Sequence, residues 1–436
     1  MLGLNRKLAE LHRNGGYIRV GLIGAGQMGR GMISQIEAML GMRVVITADL
    51  FTDNIKKAYT KAGVDPSQIK ETNDRDIAEK AIAAGYVVAT SDAEMVPHLD
   101  QVDVIVDATG ITNIGAKIAW NAIVNKKHIV MLNVETDVTV GPLLKKMAEA
   151  AGVVYTGSAG DEPGAIMELY DFADAIGFEI VALGKGKNNP LNVHANPDTA
   201  AEEAKQKGAS PKMLASFQDG TKTMVEMTAV ANATGFVPDV QGMHGIKATV
   251  QELPGLLKLK QDGGILNRKR VVEYVNGVAP GVFAIISSDK KEVHEELKYL
   301  KMGDGPNYVL FRPFHLTSLE TPLSIAKAYF HKEATIAPYA GLVAETVSVA
   351  KKTLKPGDVL DGIGCFTAYG RIMTAEDQRK TGALPLGLIG PNIRLKREVA
   401  QDQLITFDDI EIVESNMILR LREMMMEQLL ASGASR

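Results

Sequence analysis

Short apolar runs and amphipathic stretches alternate over the first 160 residues of the chain. Ile18 to Ile23 is a short, largely β-branched run that suits one buried strand. Met28, Met32, Ile33, Ile36 and Met39 then recur at helical spacing. The same succession returns in RVVITADL, in Val102 to Asp107, in KKHIVMLNVETD (a strand predicted to end in Asn133 and Glu135) and in VVYTGSAGDEPG. GPLLKKMAEAAG is the helix between the last two. Segment 53–100 is less regular and predicts helices inserted ahead of a short strand at Tyr86 to Thr90. Repeated strand–helix alternation argues for a Rossmann-type, doubly wound parallel sheet, hence an α/β chain.

The pattern changes after Gly160. DEPGAIMELYDFADAIG predicts a helix entered at Pro163, with Ile166, Leu169, Tyr170 and Phe172 on or near its inner face. EIVALGKGKNNPLN predicts a strand that empties into a polar loop, and FQDGTKTMVEMTAVANATGFVPD a second long helix. GVAPGVFAIIS and MGDGPNYVLFRPFHL read as neighbouring strands of a central α+β catalytic domain. The last hundred residues carry Gly and Pro turns with short β runs, which predicts a small β-rich module closed by the amphipathic helix SNMILRLREMMMEQLLAS. The expected domains are 1–160, 161–337 and 338–436.

Composition narrows the function classes. At 436 residues, a prior of roughly 150 per domain gives about three domains with cores large enough to need no staples. Net charge is −4 with no long basic run, so nucleic acid is not an expected partner. No run approaches the roughly 18 apolar residues of a membrane span, and the start reads as an amphipathic helix rather than a signal peptide. Cys365 is the one cysteine, which excludes an internal disulfide and fits a reducing, cytoplasmic setting. Nothing basic adjoins it in sequence, so it reads as an inert buried thiol. Glycine, at 42 residues, is in excess and predicts many tight turns.

The chemistry starts at the first turn. Gly24, Ala25, Gly26, Gln27, Met28 and Gly29 spell GxGxxG between a strand and a helix. Gly24 permits the tight turn, Gly26 lets a diphosphate approach the backbone, and Gly29 lets helix and strand pack closely. Asp49, twenty residues after Gly29, stands where an acid takes the adenine-ribose hydroxyls. A carboxylate there repels a 2′-phosphate and points to NAD(H). Thr109 and Gly110 follow a strand end where open α/β sheets bind ligands, and Asn133 and Glu135 are placed likewise.

Further on, Lys185, Lys187, Asn188 and Asn189 make a loop suited to an anionic or polyhydroxylated substrate, against the plain alternative of an exposed polar turn. Arg312 and His315, at a strand end, are suited to clamping a phosphate or carboxylate and moving a proton. Lys222 and Glu226 either face a cleft, with Lys222 binding substrate, or form a surface pair. Ser158, in GSAGDEPG, joins the substrate-binding candidates. Asp161 and Glu162 are candidate metal ligands or ordinary helix N-terminal acids.

GAGQMG, the strand-end NVET and the run from GDEPG to GKGKNNPLN resemble homoserine-dehydrogenase-like oxidoreductases. KPGDVLDGIG, LPLGLIG and DQLITFDDIE resemble the SAF domain fused to some of them. Together these cover nearly the whole chain and look most like deoxyxylulose-5-phosphate reductoisomerase-like enzymes. That resemblance implies a cytoplasmic homodimer, NADP(H), and a divalent cation (Mg or Mn) held by Asp161 and Glu162. It also implies a sugar-phosphate substrate, isomerised and reduced to methylerythritol 4-phosphate for isoprenoid synthesis. Lys185, Lys187, Asp161, Glu162 and His315 would be catalytic, with Asn188, Asn189, Arg312, Ser158 and Lys222 on the substrate. Asp49 departs from an NADPH-type pattern. Two other readings fit the residues: a plain NAD(P)-dependent dehydrogenase of a hydroxy or keto acid, and a non-catalytic dinucleotide sensor.

Overall fold

The computed structural model describes residues 3–431 and divides into two units, each assembled from separated stretches of chain. The first comprises Met1–Gly164, Leu316–Ala337 and Met417–Arg436. Its centre is a sheet of seven parallel strands: β1 (Ile18–Ile23), β2 (Met42–Ala48), β3 (Ile69–Glu71), β4 (Val87–Thr90), β5 (Val104–Asp107), β6 (His128–Met131) and β7 (Tyr155–Gly157). Their order is β3-β4-β2-β1-β5-β6-β7. From β1 the chain forms β2, then the edge strand β3, then β4 between those two; from β5 it runs outward through β6 and β7, so the topological switch lies between β1 and β5.

The core explains the winding. Ile18, Val20 and Leu22 of β1, Val44 of β2, and Val104 and Val106 of β5 bury against Met32, Ile33 and Ile36 of the helix Gln27–Glu37. Fully burying each such side chain is worth about 1.5–3 kcal/mol. Ile325 and Ala326, from the helix Thr321–His331, close the same cluster. The terminal helix Met417–Ala431 buries Ile418, Leu419, Leu421, Arg422 and Met425 in this unit. Its Arg422 donates to the carbonyl of Thr139 at 3.0 Å. Met424 and Leu430 of the same helix are exposed.

The second unit comprises Ala165–His315 and Pro338–Asn416. It contains β8 (Glu179–Lys187), β9 (Val237–Pro238), β10 (Ile246–Lys247), β11 (Val271–Asn276), β12 (Val282–Ser287) and β13 (Asn307–Arg312) in one mixed sheet. The order is β10-β11-β8-β12-β13, with β9 beside β11. β8 runs parallel to β11 and antiparallel to β12, which is antiparallel to β13. One face carries Leu183, Val272 and Ala284 against Met224, Met227 and Val230 of the helix Thr221–Thr234. The other carries Val181, Phe283 and Ile285 against Leu253, Leu257 and Leu266. The tail supplies two antiparallel ribbons, β14 (Ala344–Ala350) with β15 (Ala368–Thr374) and β16 (Ile393–Leu395) with β17 (Ile410–Ile412).

Several expectations are corrected. The structure groups the chain into two units rather than three: the first boundary falls at 164/165, the one at 337/338 coincides with the expected break, and segment 316–337 and the terminal helix belong to the first unit. Ala344 and Ile372 share a core with the helix Thr221–Thr234, so the β-rich tail is built into the second unit. The strand of KKHIVMLNVETD stops at Met131, and Asn133 instead caps the helix Val134–Ala151 by accepting from Thr136 N at 3.2 Å. A three-residue strand, β3, lies inside the irregular segment between the helices Thr52–Lys61 and Arg75–Ala83. Phe172 points outward at 54% exposure. Among the described residues no helix is long and apolar enough to cross a membrane.

Candidate functional site

The first unit carries its candidate site at the switch point. Gly24 has φ 106°, and a Cβ there would sit 2.7 Å from the carbonyl oxygen of Ala108, so the β1 and β5 turns abut. A Cβ on Gly29 would sit 2.0 Å from the carbonyl oxygen of Gly24. Both glycines are demanded by the protein itself. Gly26 is different: a Cβ there would meet nothing within 4 Å. It is the N-cap of the helix Gln27–Glu37, and no side chain caps that end. Open space over unclaimed first-turn amides is an anion cradle, and it fits a dinucleotide diphosphate.

Asp49 follows β2 and is already engaged, accepting from Ala25 N at 2.7 Å and Phe51 N at 2.9 Å. It ties the glycine turn. Across the switch point, the Asp107 carboxylate accepts from Thr109 N at 2.9 Å and from Asn133 Nδ2 at 3.1 Å. Burial pushes Asp107 up to about 6. Asn133 thus organises the loop bearing Thr109 and Gly110 from beneath. Glu135 is buried in the first turn of the helix Val134–Ala151. Ser158, expected to contact substrate, is buried and shares a hydrogen bond with Thr321 Oγ1 at 2.8 Å. Asp161 is half-buried and Glu162, at the start of the helix Glu162–Ala175, is buried.

The second unit carries a candidate site on β8. Lys185 and Lys187 lie within the strand rather than in the loop after it, and both are buried. The alternation Gly184-Lys185-Gly186-Lys187 explains how a strand accommodates them. Successive side chains point to opposite faces. On one face a Cβ at Gly184 would lie 2.3 Å from the Phe283 ring, and one at Gly186 2.3 Å from Ala279 N. The lysines therefore share the face toward the helix Thr221–Thr234. There Lys185 is ion-paired with Glu226, which is 4% exposed. Glu226 is therefore buried against the sheet rather than lying on the surface. Lys222 is the one partly exposed residue of a helix otherwise buried all round.

Lys187 donates to the carbonyl oxygen of Phe217 at 2.7 Å. Desolvation, and then the charge of Lys185, bring it down to about 8. A lysine that titrates there can donate or accept a proton near neutral pH. Asn188 and Asn189 begin the loop beyond β8. At the far edge of the sheet, Arg312 ends β13, pairs with Glu168 at 3.1 Å and lies over the Phe314 ring at 4.8 Å. The guanidinium expected to clamp an anion already has a carboxylate. His315 lies three residues beyond β13 and is half-buried.

Two features escaped the sequence reading. Asp219 and Lys351 form a buried ion pair at 2.8 Å. Lys351 also donates to the carbonyl of Cys365 at 2.8 Å, so a basic group does adjoin that residue. Burial raises the Cys365 thiol above its ordinary range, in keeping with an inert sulfur. The signal available for the lysine pair was the GKGK alternation, whose period of two belongs to a strand.

Comparison with known proteins gives three findings. The family model described as "Oxidoreductase DRL, catalytic domain" matches residues 160–321. No curated protein sequence matches the chain. Among solved structures, a probable dehydrogenase from Thermotoga maritima is similar at 12% identity and TM-score 0.43, covering 74% of this chain and 92% of that one. A DOX-P reductoisomerase in complex with magnesium is similar at 15% identity and TM-score 0.42, covering 72% and 69%. GenD2 from gentamicin A biosynthesis, in complex with NAD, is similar at 11% identity and TM-score 0.38, covering 75% and 90%.

Proposed function

We propose that this protein is an NAD(P)-dependent oxidoreductase acting on a hydroxy or keto carbon of a small anionic substrate, with Lys187 moving the proton. The observation that carries the reading is Lys187 itself, a buried strand lysine held near 8 with a backbone carbonyl as its hydrogen-bond partner. The match to an oxidoreductase catalytic domain over 160–321 spans the same strand.

The residues of the first unit fit a dinucleotide: the open turn at Gly26, the uncapped helix Gln27–Glu37 and the Asp49 carboxylate. When bound, the nicotinamide supplies or takes up a hydride at the substrate carbon. In the reducing direction the Lys187 ammonium gives its proton to the carbonyl oxygen that becomes the alcohol. In the oxidising direction the neutral amine takes it back. The charge of Lys185, on the same face of the strand and paired with Glu226, favours loss of the Lys187 proton.

A second reading, the reductoisomerase of deoxyxylulose 5-phosphate, rests on Asp161 and Glu162. These adjacent carboxylates are oxygen donors of the kind that Mg or Mn takes, and a bound cation would polarise vicinal substrate oxygens. The test is a spectrophotometric panel: hydroxy acids and sugar acids with NAD or NADP, beside deoxyxylulose 5-phosphate with NADPH and Mn²⁺. Nicotinamide reduction by a hydroxy acid supports the first reading. NADPH oxidation by the sugar phosphate replaces it with the second. Failure of the folded protein to bind either dinucleotide sinks both.

A further inference from the structure

The turn between the helices Pro211–Gln218 and Thr221–Thr234 holds an arrangement that the oxidoreductase reading leaves unused. Asp219 and Lys351 are an ion pair with side-chain exposures of 0% and 3%. A buried pair of this kind gains little by itself, since desolvation consumes most of the attraction. Its geometry is the informative part. Lys351 Nζ stands 2.8 Å from the Asp219 carboxylate as its ion-pair partner and donates to the carbonyl of Ala195 at 2.5 Å and to the carbonyl of Cys365 at 2.8 Å. Asp219 spends its other oxygen on Thr221 N at 2.8 Å, and its own N–H returns to the carbonyl of Ala215 at 2.9 Å. Phe217, whose carbonyl receives Lys187, lies two residues before Asp219 in the same turn.

We infer that Asp219 and Lys351 are positioning residues for Lys187: they fix the Phe217 carbonyl that its ammonium donates to, and they set the charge that ammonium experiences. The inference rests on the oxidoreductase reading only for its purpose, since the arrangement can be tested without turnover. The charged groups acting on Lys187 are Lys185 from its own strand, Glu226 from the helix Thr221–Thr234, and Asp219 from the turn. β12 brings no charged residue, and the one acid of β11, Glu273, is taken by the ring and N–H of His244. Glu226 answers Lys185 and Asp219 answers Lys351. Lys187 is thus left with a neutral carbonyl as its hydrogen-bond partner.

The test is the titration of Lys187 in the full-length protein, read as the pH dependence of its acetylation by trace acetic anhydride, with mass spectrometry of the peptide that contains it. Asp219→Asn removes the acid and leaves Lys351 unanswered, so the Lys187 midpoint falls by roughly one pH unit. Lys351→Met frees the Asp219 carboxylate for the nearest remaining ammonium, so the midpoint rises by a similar amount. Lys351→Arg keeps the charge and leaves the midpoint in place. A packing role alone would move the first two variants in the same direction or not at all, and either result overturns the inference. If Lys351→Met does not fold, Asp219→Asn against Lys351→Arg decides: equal midpoints overturn it. None of these readings needs a substrate, so failure here is distinct from failure of the oxidoreductase reading.

Discussion

Asp49 accepts the backbone N–H of Ala25 at 2.7 Å, so the acid that follows the second strand also buckles the glycine turn. A carboxylate fixed in this way cannot swing aside for a 2′-phosphate. Asp49→Asn keeps one acceptor for the turn and removes the charge. NADPH affinity should rise about tenfold relative to NADH, equivalent to about 1.4 kcal/mol. Fluorescence titration with both dinucleotides measures this. An unchanged ratio would mean that Asp49 serves the turn alone.

The glycines of the turn separate folding from binding. Gly26→Ala adds a methyl to open space and should leave thermal stability within about a degree while weakening dinucleotide binding tenfold or more. Gly29→Ala drives a methyl to 2.0 Å from the Gly24 carbonyl and should cost about 1–3 kcal/mol. Calorimetry with and without dinucleotide distinguishes the two, and equal losses of stability would refute the assignment of Gly26 to the ligand.

Lys187, at about 8, gives activity a direction-dependent pH profile. Carbonyl reduction needs the ammonium and should fall as pH rises through about 8, while alcohol oxidation needs the amine and should rise through the same region. Lys187→Met should lower kcat by roughly 10²–10⁴ in both directions and flatten these limbs. Turnover near wild type in that variant would remove the strand from the chemistry.

Asp137 is buried against the Tyr155 hydroxyl at 2.9 Å, and burial raises it from 3.8 to about 6. The folded state therefore binds more protons than the unfolded one between those values, and stability declines as pH rises through that window. At about 1.4 kcal/mol per pH unit the ionised group costs about 3 kcal/mol at neutral pH. Asp137→Asn should match wild type in urea unfolding near pH 3.5 and exceed it at pH 7.5. A difference that does not grow between those two conditions would contradict the burial account.

The first unit was largely legible because its periodicity and its glycine spacing point the same way. Gly24 and Gly29 have the backbone roles their positions suggest. What escaped was what neighbouring elements decide. Lys185 and Lys187 look like loop residues in one dimension, since a charge inside a strand is tolerable only with partners, and those partners are Glu226 and the Phe217 carbonyl, both remote in sequence. NVET looked like the end of a strand because Val134 continues the apolar run. The Asn133 side chain begins a helix there instead. Arg312 and Ser158 were legible as polar groups, while their partners Glu168 and Thr321 are remote in sequence. The tail was readable as β-rich, whereas its burial against the helix Thr221–Thr234 depends on Asn232, whose side-chain oxygen accepts from Val343 N and Ala344 N at 2.8 and 2.9 Å.

The first unit draws on three stretches of chain, the last of them the helix Met417–Ala431, whose Arg422 reaches Thr139. That order has a consequence for biosynthesis. The nucleotide half begins to form when the first strands leave the ribosome, yet its final packing helix emerges only after the whole second unit has been translated. Until then the surface that will receive Leu419, Leu421 and Met425 stays bare, and the nascent chain carries an apolar face open to chaperones and to aggregation. Cofactor arriving early would meet a glycine turn already shaped but a unit still one helix short.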